Sequence, residues 1–287
     1  MQSAIRTDDG VDLSLRVFAG ARKATPASDG AGSGAGDAAG DLDVILMHGW
    51  MMSGAVFDDL IEQLGPLDLD GLRLIVPDQR GSGRSGRPEH GYSLARYAAD
   101  VLAVADAVGA RRFVIVGHSM GGQIAQLVAA EHPDRVLGVV LLCPVPATGM
   151  ALPADAQALF RGCGGQRDMQ RTILDLACKQ LEPARRERLL DDSLQTGRAC
   201  IEQAFDSWTA GGLRDRLPHI TAPTLVVATD DPFLPPPFLR EEVVRPIAKA
   251  RLGYLPGPGH YPQVERPRET AALLTAFLTP LLARHTG

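Results

Sequence analysis

A serine set among small residues is the strongest candidate for chemistry in this chain. Gly117-His118-Ser119-Met120-Gly121 comes directly after an apolar run at 113–116 and directly before a helical period at 120–131. A serine held at a tight strand-to-helix turn sits in a strained backbone conformation, and only small residues fit two positions to either side. Gly117 and Gly121 meet that need, and Gly122 relaxes it further. The hydroxyl of Ser119 is a poor nucleophile alone: it needs a base, and the base needs an acid to orient it. In a strand–turn–helix setting the acid follows the serine along the chain and the histidine comes last. That leaves His132, His219, His260 and His285 as bases.

The choice among them depends on the elements that would present them. From residue 43 short apolar runs alternate with helical periods: 44–47, 72–76, 113–116, 136–142, 224–228 and 251–255. Most runs are continuous rather than alternating, as expected of strands buried on both faces of a parallel sheet. Helix candidates at 54–64, 93–108 and 120–131 separate the first four. The β–α–β order implies right-handed crossovers and an α/β fold with an open, doubly wound, mostly parallel sheet. Ahead of it, residues 4–18 read as a hairpin turning at Asp9-Gly10. Residues 19–41, dominated by Gly, Ala, Ser and Asp, are expected to form a flexible loop. No Gly-Lys-Ser/Thr follows them, which disfavours a phosphate loop.

The alternation breaks between Pro144 and Pro223. Residues 153–212 hold four helix-like stretches and no convincing strand, punctuated by Gly162, Gly164-Gly165, Pro183 and Gly211-Gly212. We expect a helical cap at 147–212 between two parts of one core, 1–146 and 213–287. After the strand at 224–228 come a helix near 237–248, the strand at 251–255, and a last helix from about 267 to 283.

On this layout only His260, in Gly257-Pro258-Gly259-His260, follows a strand at the C-terminal edge of the sheet. His132 ends the helix that starts at the serine, His219 precedes a strand, and His285 lies in the C-terminal tail. The acid should follow the strand before, where Asp230 and Asp231 both precede Pro232; Asp231 is favoured and Asp230 is the alternative. An acid one strand earlier is disfavoured, because 136–142 runs into Cys143-Pro144 with no carboxylate. An oxyanion hole would take the backbone N–H of Met120 and that of Trp50, which small Gly49 lets turn toward the site. Losing one such donor costs roughly 3–4 kcal/mol.

Taken in order, His48-Gly49-Trp50, Asp78-x-Arg80-Gly81-x-Gly83-x-Ser85, Gly117-His118-Ser119-Met120-Gly121-Gly122, Asp231 and Gly259-His260 resemble the α/β-hydrolase superfamily. The chain looks most like its branch of small capped esterases, C–C bond hydrolases and cofactor-free haloperoxidases. The resemblance covers 4–146 and 213–284. It implies that 78–85 form a structural turn in which Arg80 and Arg84 have no catalytic role. The chain departs from the pattern in three places: Ala228 stands where the family often has Gly, the loop at 19–41 is long, and 147–212 matches only in position and helical character.

A Ser–His–Asp set with an oxyanion hole suits acyl transfer through a covalent acyl-enzyme. The leading expectation is hydrolysis of a small carboxylic ester or lactone. A C–C bond hydrolase of a β-diketone-like substrate is the nearest rival. A cofactor-independent dioxygenase using the His–Asp pair is another, since the His-Gly-Trp triplet resembles that group. Similar dehalogenases and epoxide hydrolases carry aspartate at the nucleophile position, so Ser119 disfavours both. A non-catalytic receptor for a small ligand is the alternative from another class. Trp50, Met51, Met150, Leu152, Leu234 and Phe238 are expected to supply apolar pocket walls.

Composition narrows the partners. Hydrophobic residues make up 45% of the 287 and charged residues 22%, which fits a globular chain with a large core. The net charge of -5 argues against nucleic acid or an anionic membrane, and Arg185, Arg186 and Arg188 alternate with Glu182 and Glu187 as on a solvated helix face. No apolar run approaches the roughly 20 residues that span a bilayer, and residues 1–10 lack the apolar stretch of a secretory signal. Cys143, Cys163, Cys178 and Cys200 show no Cys-x-x-Cys spacing, so free thiols in a reducing cytoplasm are expected, with a bridge among the last three as the alternative. No metal-ligand cluster and no cofactor motif is evident, and the sequence carries no signal of oligomeric state.

Overall fold

The computed structural model describes residues 2–19, 41–65 and 71–286; residues 20–40 of the expected flexible loop lie outside them. Among the described residues eight strands form one sheet: β1 (Gln2–Arg6), β2 (Asp12–Ala19), β3 (Leu42–Met47), β4 (Leu72–Pro77), β5 (Phe113–His118), β6 (Val136–Leu142), β7 (Thr224–Ala228) and β8 (Ala250–Tyr254). Their order is β1-β2-β4-β3-β5-β6-β7-β8. The hairpin β1–β2 joins β4 antiparallel, and every pair from β4 to β8 is parallel. β3 and β5 are buried along their whole length, which is why their residues read as continuous apolar runs rather than alternating ones.

The helices that pack on the sheet are α1 (Asp58–Leu64), α2 (Leu94–Ala107) and α3 (Met120–Glu131). The helix expected at 54–64 starts later as an α-helix: Gly54–Phe57 form a 3₁₀ turn, with the Ser53 side chain accepting from the Ala55 N–H. Four helices lie between β6 and β7: α4 (Ala154–Gly162), α5 (Arg167–Ala177), α6 (Pro183–Ser193) and α7 (Arg198–Ala210). Phe160, Ile173, Leu189, Ile201, Phe205 and Trp208 on these helices are buried. The helix expected near 237–248 is shorter and irregular: α8 spans Pro236–Leu239, and Arg240–Val244 continue as one wide π turn. α9 (Pro262–Glu265) and α10 (Pro267–Thr286) follow β8.

The turn at 78–85 is held by a buried cation. Arg80 is fully buried and meets Asp100 with two hydrogen bonds, 2.6 and 2.7 Å, and Asp9 at 2.8 Å, tying the hairpin turn to α2. All four cysteines are free. Among the described residues no helix is long and apolar enough to cross a membrane.

Candidate active site

β5 ends at His118 and α3 starts at Met120, so Ser119 alone makes the turn. Its backbone sits at φ 54°, ψ −120°. A non-glycine residue there stores roughly 1–3 kcal/mol of strain, which the surroundings must hold. They do so through the Ser119 N–H on the Leu142 carbonyl at 3.0 Å and the Val145 N–H on the Ser119 carbonyl at 3.1 Å. The flanking glycines are needed for close approach: a Cβ on Gly117 would lie 2.3 Å from the Gly121 carbonyl oxygen, and one on Gly121 2.2 Å from that of Met47.

At the ends of β7 and β8 an acid and a histidine meet. Asp231 Oδ2 lies 2.6 Å from His260 Nδ1, and Asp231 is 2% exposed. The other carboxylate oxygen of Asp231 accepts the Phe233 N–H at 2.9 Å. Thr229 fixes both loops, accepting from the Asp231 N–H at 3.1 Å and donating to the Gly259 carbonyl at 2.7 Å. Asp230 faces elsewhere: it accepts from the Tyr254 hydroxyl and from the Gly257 N–H at 3.0 Å. Those two bonds, the tyrosine's first, hold its carboxyl below the usual aspartate range.

His118 secures His260 from beneath. Its Nε2–H donates to the His260 carbonyl at 2.8 Å, and its ring centroid lies 4.9 Å from that of His260. Burial, with His260 adding to it, keeps His118 far below the ordinary histidine pKa and therefore neutral. Ser119 and His260 line the same cavity, and no hydrogen bond joins their side chains. Such bonds are often loose before substrate binds.

The loop after β3 passes over the serine. A Cβ on Gly49 would lie 2.9 Å from His118 Nδ1 and 3.1 Å from Ser119 Cβ, so this residue has to be small. His48 anchors the loop with Nδ1 donating to the Gly49 carbonyl and Nε2 accepting from the Gln79 N–H, both at 2.9 Å. Burial depresses its pKa, as this neutral tautomer requires. Neither the Trp50 N–H nor the Met120 N–H has an acceptor among the described residues. The same loop is tethered to the four-helix segment. Trp50 Nε1 donates to the Ile201 carbonyl at 3.0 Å, and Asp192 accepts from the Ser53 N–H and hydroxyl at 2.9 and 2.5 Å.

The cavity at Ser119 is narrow and apolar. Of the expected walls, Trp50, Met150 and Leu234 line it; Met51, Leu152 and Phe238 do not. Met51 sits at φ 70°, which turns it into the interior against the Cys163 sulfur at 3.9 Å. Leu152, just ahead of α4, and Phe238, within α8, are partly buried and pack against the core. Phe160 of α4, Ile173 and Ala177 of α5, Trp208 of α7 and Val145 after β6 add to the wall, with Phe233 and Tyr261 beside the histidine. Trp50 stacks on Phe160 at 5.5 Å and 10°. The free volume is about 40 Å³, and His260 is the only ionisable side chain besides Tyr261 in the lining. A larger groove of about 720 Å³ beside β8 and α10 has no serine, cysteine or histidine in its lining.

One set of side chains has the composition of a metal site. The heteroatoms of Cys143, Asp231 and His260 lie within 4.8 Å of one another. Burial raises the Cys143 pKa far above its usual value, favouring the neutral thiol over the thiolate a metal would need, and the thiol contacts the Thr229 hydroxyl at 3.3 Å. Two members are already joined as a hydrogen-bonded acid–base pair.

Comparison with known proteins agrees with this arrangement of strands and helices. The family model for the alpha/beta hydrolase fold matches residues 44–267. A protein of Variovorax paradoxus named as a carbamate hydrolase is 31% identical over 253 residues, 85% of this chain and 93% of that protein. A non-heme haloperoxidase of Rhodococcus erythropolis is 31% identical over 252 residues, 82% of this chain and 91% of the relative. Among solved structures, an esterase of Exiguobacterium antarcticum superposes with a TM-score of 0.83 at 20% identity, covering 97% of this chain and all of the other.

Proposed function

The chain belongs to the α/β-hydrolase family, and from that premise we propose that it hydrolyses a small, apolar carboxylic ester or lactone through an acyl-enzyme on Ser119. The observation that carries this reading is the buried Asp231–His260 pair, 2.6 Å apart, opening onto the cavity that also holds Ser119.

With Nδ1 committed to Asp231, Nε2 of His260 is the nitrogen left to take the Ser119 proton. The freed oxygen attacks the substrate carbonyl. The negative charge that develops on the carbonyl oxygen is met by the unpaired N–H groups of Trp50 and Met120. Asp231 holds the imidazole in the required tautomer and stabilises the imidazolium. His260 then protonates the departing alcohol and activates the water that releases the acid. Within residues 147–212, a cap over one core, α4, α5 and α7 supply the apolar side of the cavity through Phe160, Ile173 and Trp208. A wall almost without charge selects an uncharged acyl group, because a buried unpaired charge would be costly.

The relatives carry names from carbamate hydrolysis to haloperoxidation. A shared acyl-enzyme route for this chain is tested by adding methanol to assays with acetate esters of several different alcohols. A common acyl-enzyme gives one ratio of methyl ester to free acid whatever the leaving group. A ratio that changes with the leaving group contradicts it.

A further inference from the structure

Glu265 is a buried carboxylate that the proposed reaction does not use. It is 5% exposed and forms no ion pair among the described residues. Its partners are backbone N–H groups from two separate segments. Oε1 accepts from Gly259 at 3.0 Å and Tyr261 at 3.2 Å. Oε2 accepts from Gly259 at 3.0 Å, Lys179 at 2.8 Å and Gln180 at 2.6 Å.

Gly259 and Tyr261 flank His260, while Lys179 and Gln180 come just past Cys178, the C-cap of α5. The two segments touch without side chains between them: a Cβ on Gly259 would lie 2.2 Å from the Ala177 carbonyl oxygen. The His260 N–H donates to that same carbonyl at 2.9 Å, and the His260 carbonyl accepts from His118 at 2.8 Å. Every backbone polar group at His260 and on the nitrogen side of its neighbours is therefore fixed. Among the described residues Glu265 is the one side chain that holds both flanks. α5 also carries Ile173 and Ala177, which line the cavity.

We infer that Glu265 is a positioning residue that sets His260 against Ser119 and docks the end of α5, with its cavity wall, onto the histidine loop. The inference rests on the acyl-enzyme reading, in which His260 is the base. A carboxylate fits this role and an amide does not. Four N–H donors converge on two oxygens, and replacing either oxygen with NH₂ sets donor against donor. The effect should be on the reaction more than on binding, because a base displaced by about 1 Å can cost about 10²-fold in rate.

The test compares wild type, Glu265→Gln and Glu265→Asp for their rate of labelling by a fluorophosphonate and for kcat and KM on p-nitrophenyl acetate. Folding is monitored by near-UV circular dichroism. Glu265→Gln, folded, should label and turn over about 10²-fold more slowly with KM little changed. Glu265→Asp keeps the charge with a shorter reach and should fall between the two. A folded Glu265→Gln that labels at the wild-type rate overturns the proposal. If Glu265→Gln does not fold, a folded Glu265→Asp at the wild-type rate overturns it and a slowed one supports it. Absence of labelling in wild type would instead overturn the acyl-enzyme reading on which the proposal rests.

Discussion

The indole Nε1 of Trp50 donates a 3.0 Å hydrogen bond to the backbone carbonyl of Ile201, so the residue whose N–H is proposed for the oxyanion hole is anchored in α7. The indole also stacks on Phe160 of α4. The position of the loop after β3 and that of the four-helix segment are thus linked through one side chain, with the Ser53–Asp192 bonds as a second tie.

Trp50→Phe keeps the backbone N–H and most of the stacking but removes the indole donor. It should lower stability by about 1 kcal/mol. It should also reduce kcat by about tenfold, less than the 10²–10³ lost when an oxyanion donor is deleted outright. Steady-state kinetics with urea unfolding would check both.

Asp231→Asn should leave the fold intact and lower kcat on the order of 10⁴-fold, since the amide favours the wrong imidazole tautomer. Asp230→Asn should keep most activity, because Asp230 bonds Tyr254 and Gly257 rather than His260. Equal losses in the two variants would contradict the assignment of the acid.

Gly121→Ala should destabilise the protein by about 1–3 kcal/mol or prevent its folding, because the added methyl meets backbone that cannot rotate away. The Met47 carbonyl would be 2.2 Å from it. Thermal unfolding beside Gly65→Ala, where nothing lies within 4 Å of the new methyl, gives the comparison.

Burial holds His48 and His118 below the ordinary histidine pKa of about 6.5, so the fold binds fewer protons than the unfolded chain below that pH. Above it neither contributes a slope. As pH falls through it, stability should drop by up to about 1.4 kcal/mol per pH unit for each histidine. His118→Gln should be less stable near neutrality yet decline less steeply on acidification. Urea midpoints measured from roughly pH 7.5 to 5 would show this, and an unchanged slope would contradict it.

The parallel strands were legible because burial on both faces leaves unbroken apolar runs, and Ser119 was legible because its turn admits only small neighbours. The choice between Asp230 and Asp231 was less so: adjacent residues point to opposite sides of a loop, and only the position of His260 distinguishes them. The cavity wall was hardest to read. Phe160, Ile173, Ala177 and Trp208 are apolar positions on amphipathic helices, where pattern shows that a face is buried but not against what. The two tryptophans, both in the wall, were the available signal. Glu265 offered only a carboxylate in an otherwise uncharged stretch, Tyr261-Pro262-Gln263-Val264, because its partners are backbone N–H groups that no side-chain pattern reveals.

Activation of Ser119 by the His260–Asp231 pair underlies the proposed reaction. Its most direct test is intact-mass spectrometry of wild type and Ser119→Ala after treatment with a serine-directed fluorophosphonate. Wild type should gain one adduct and Ser119→Ala none. An unmodified, folded wild type, or an adduct that persists in Ser119→Ala, would contradict it.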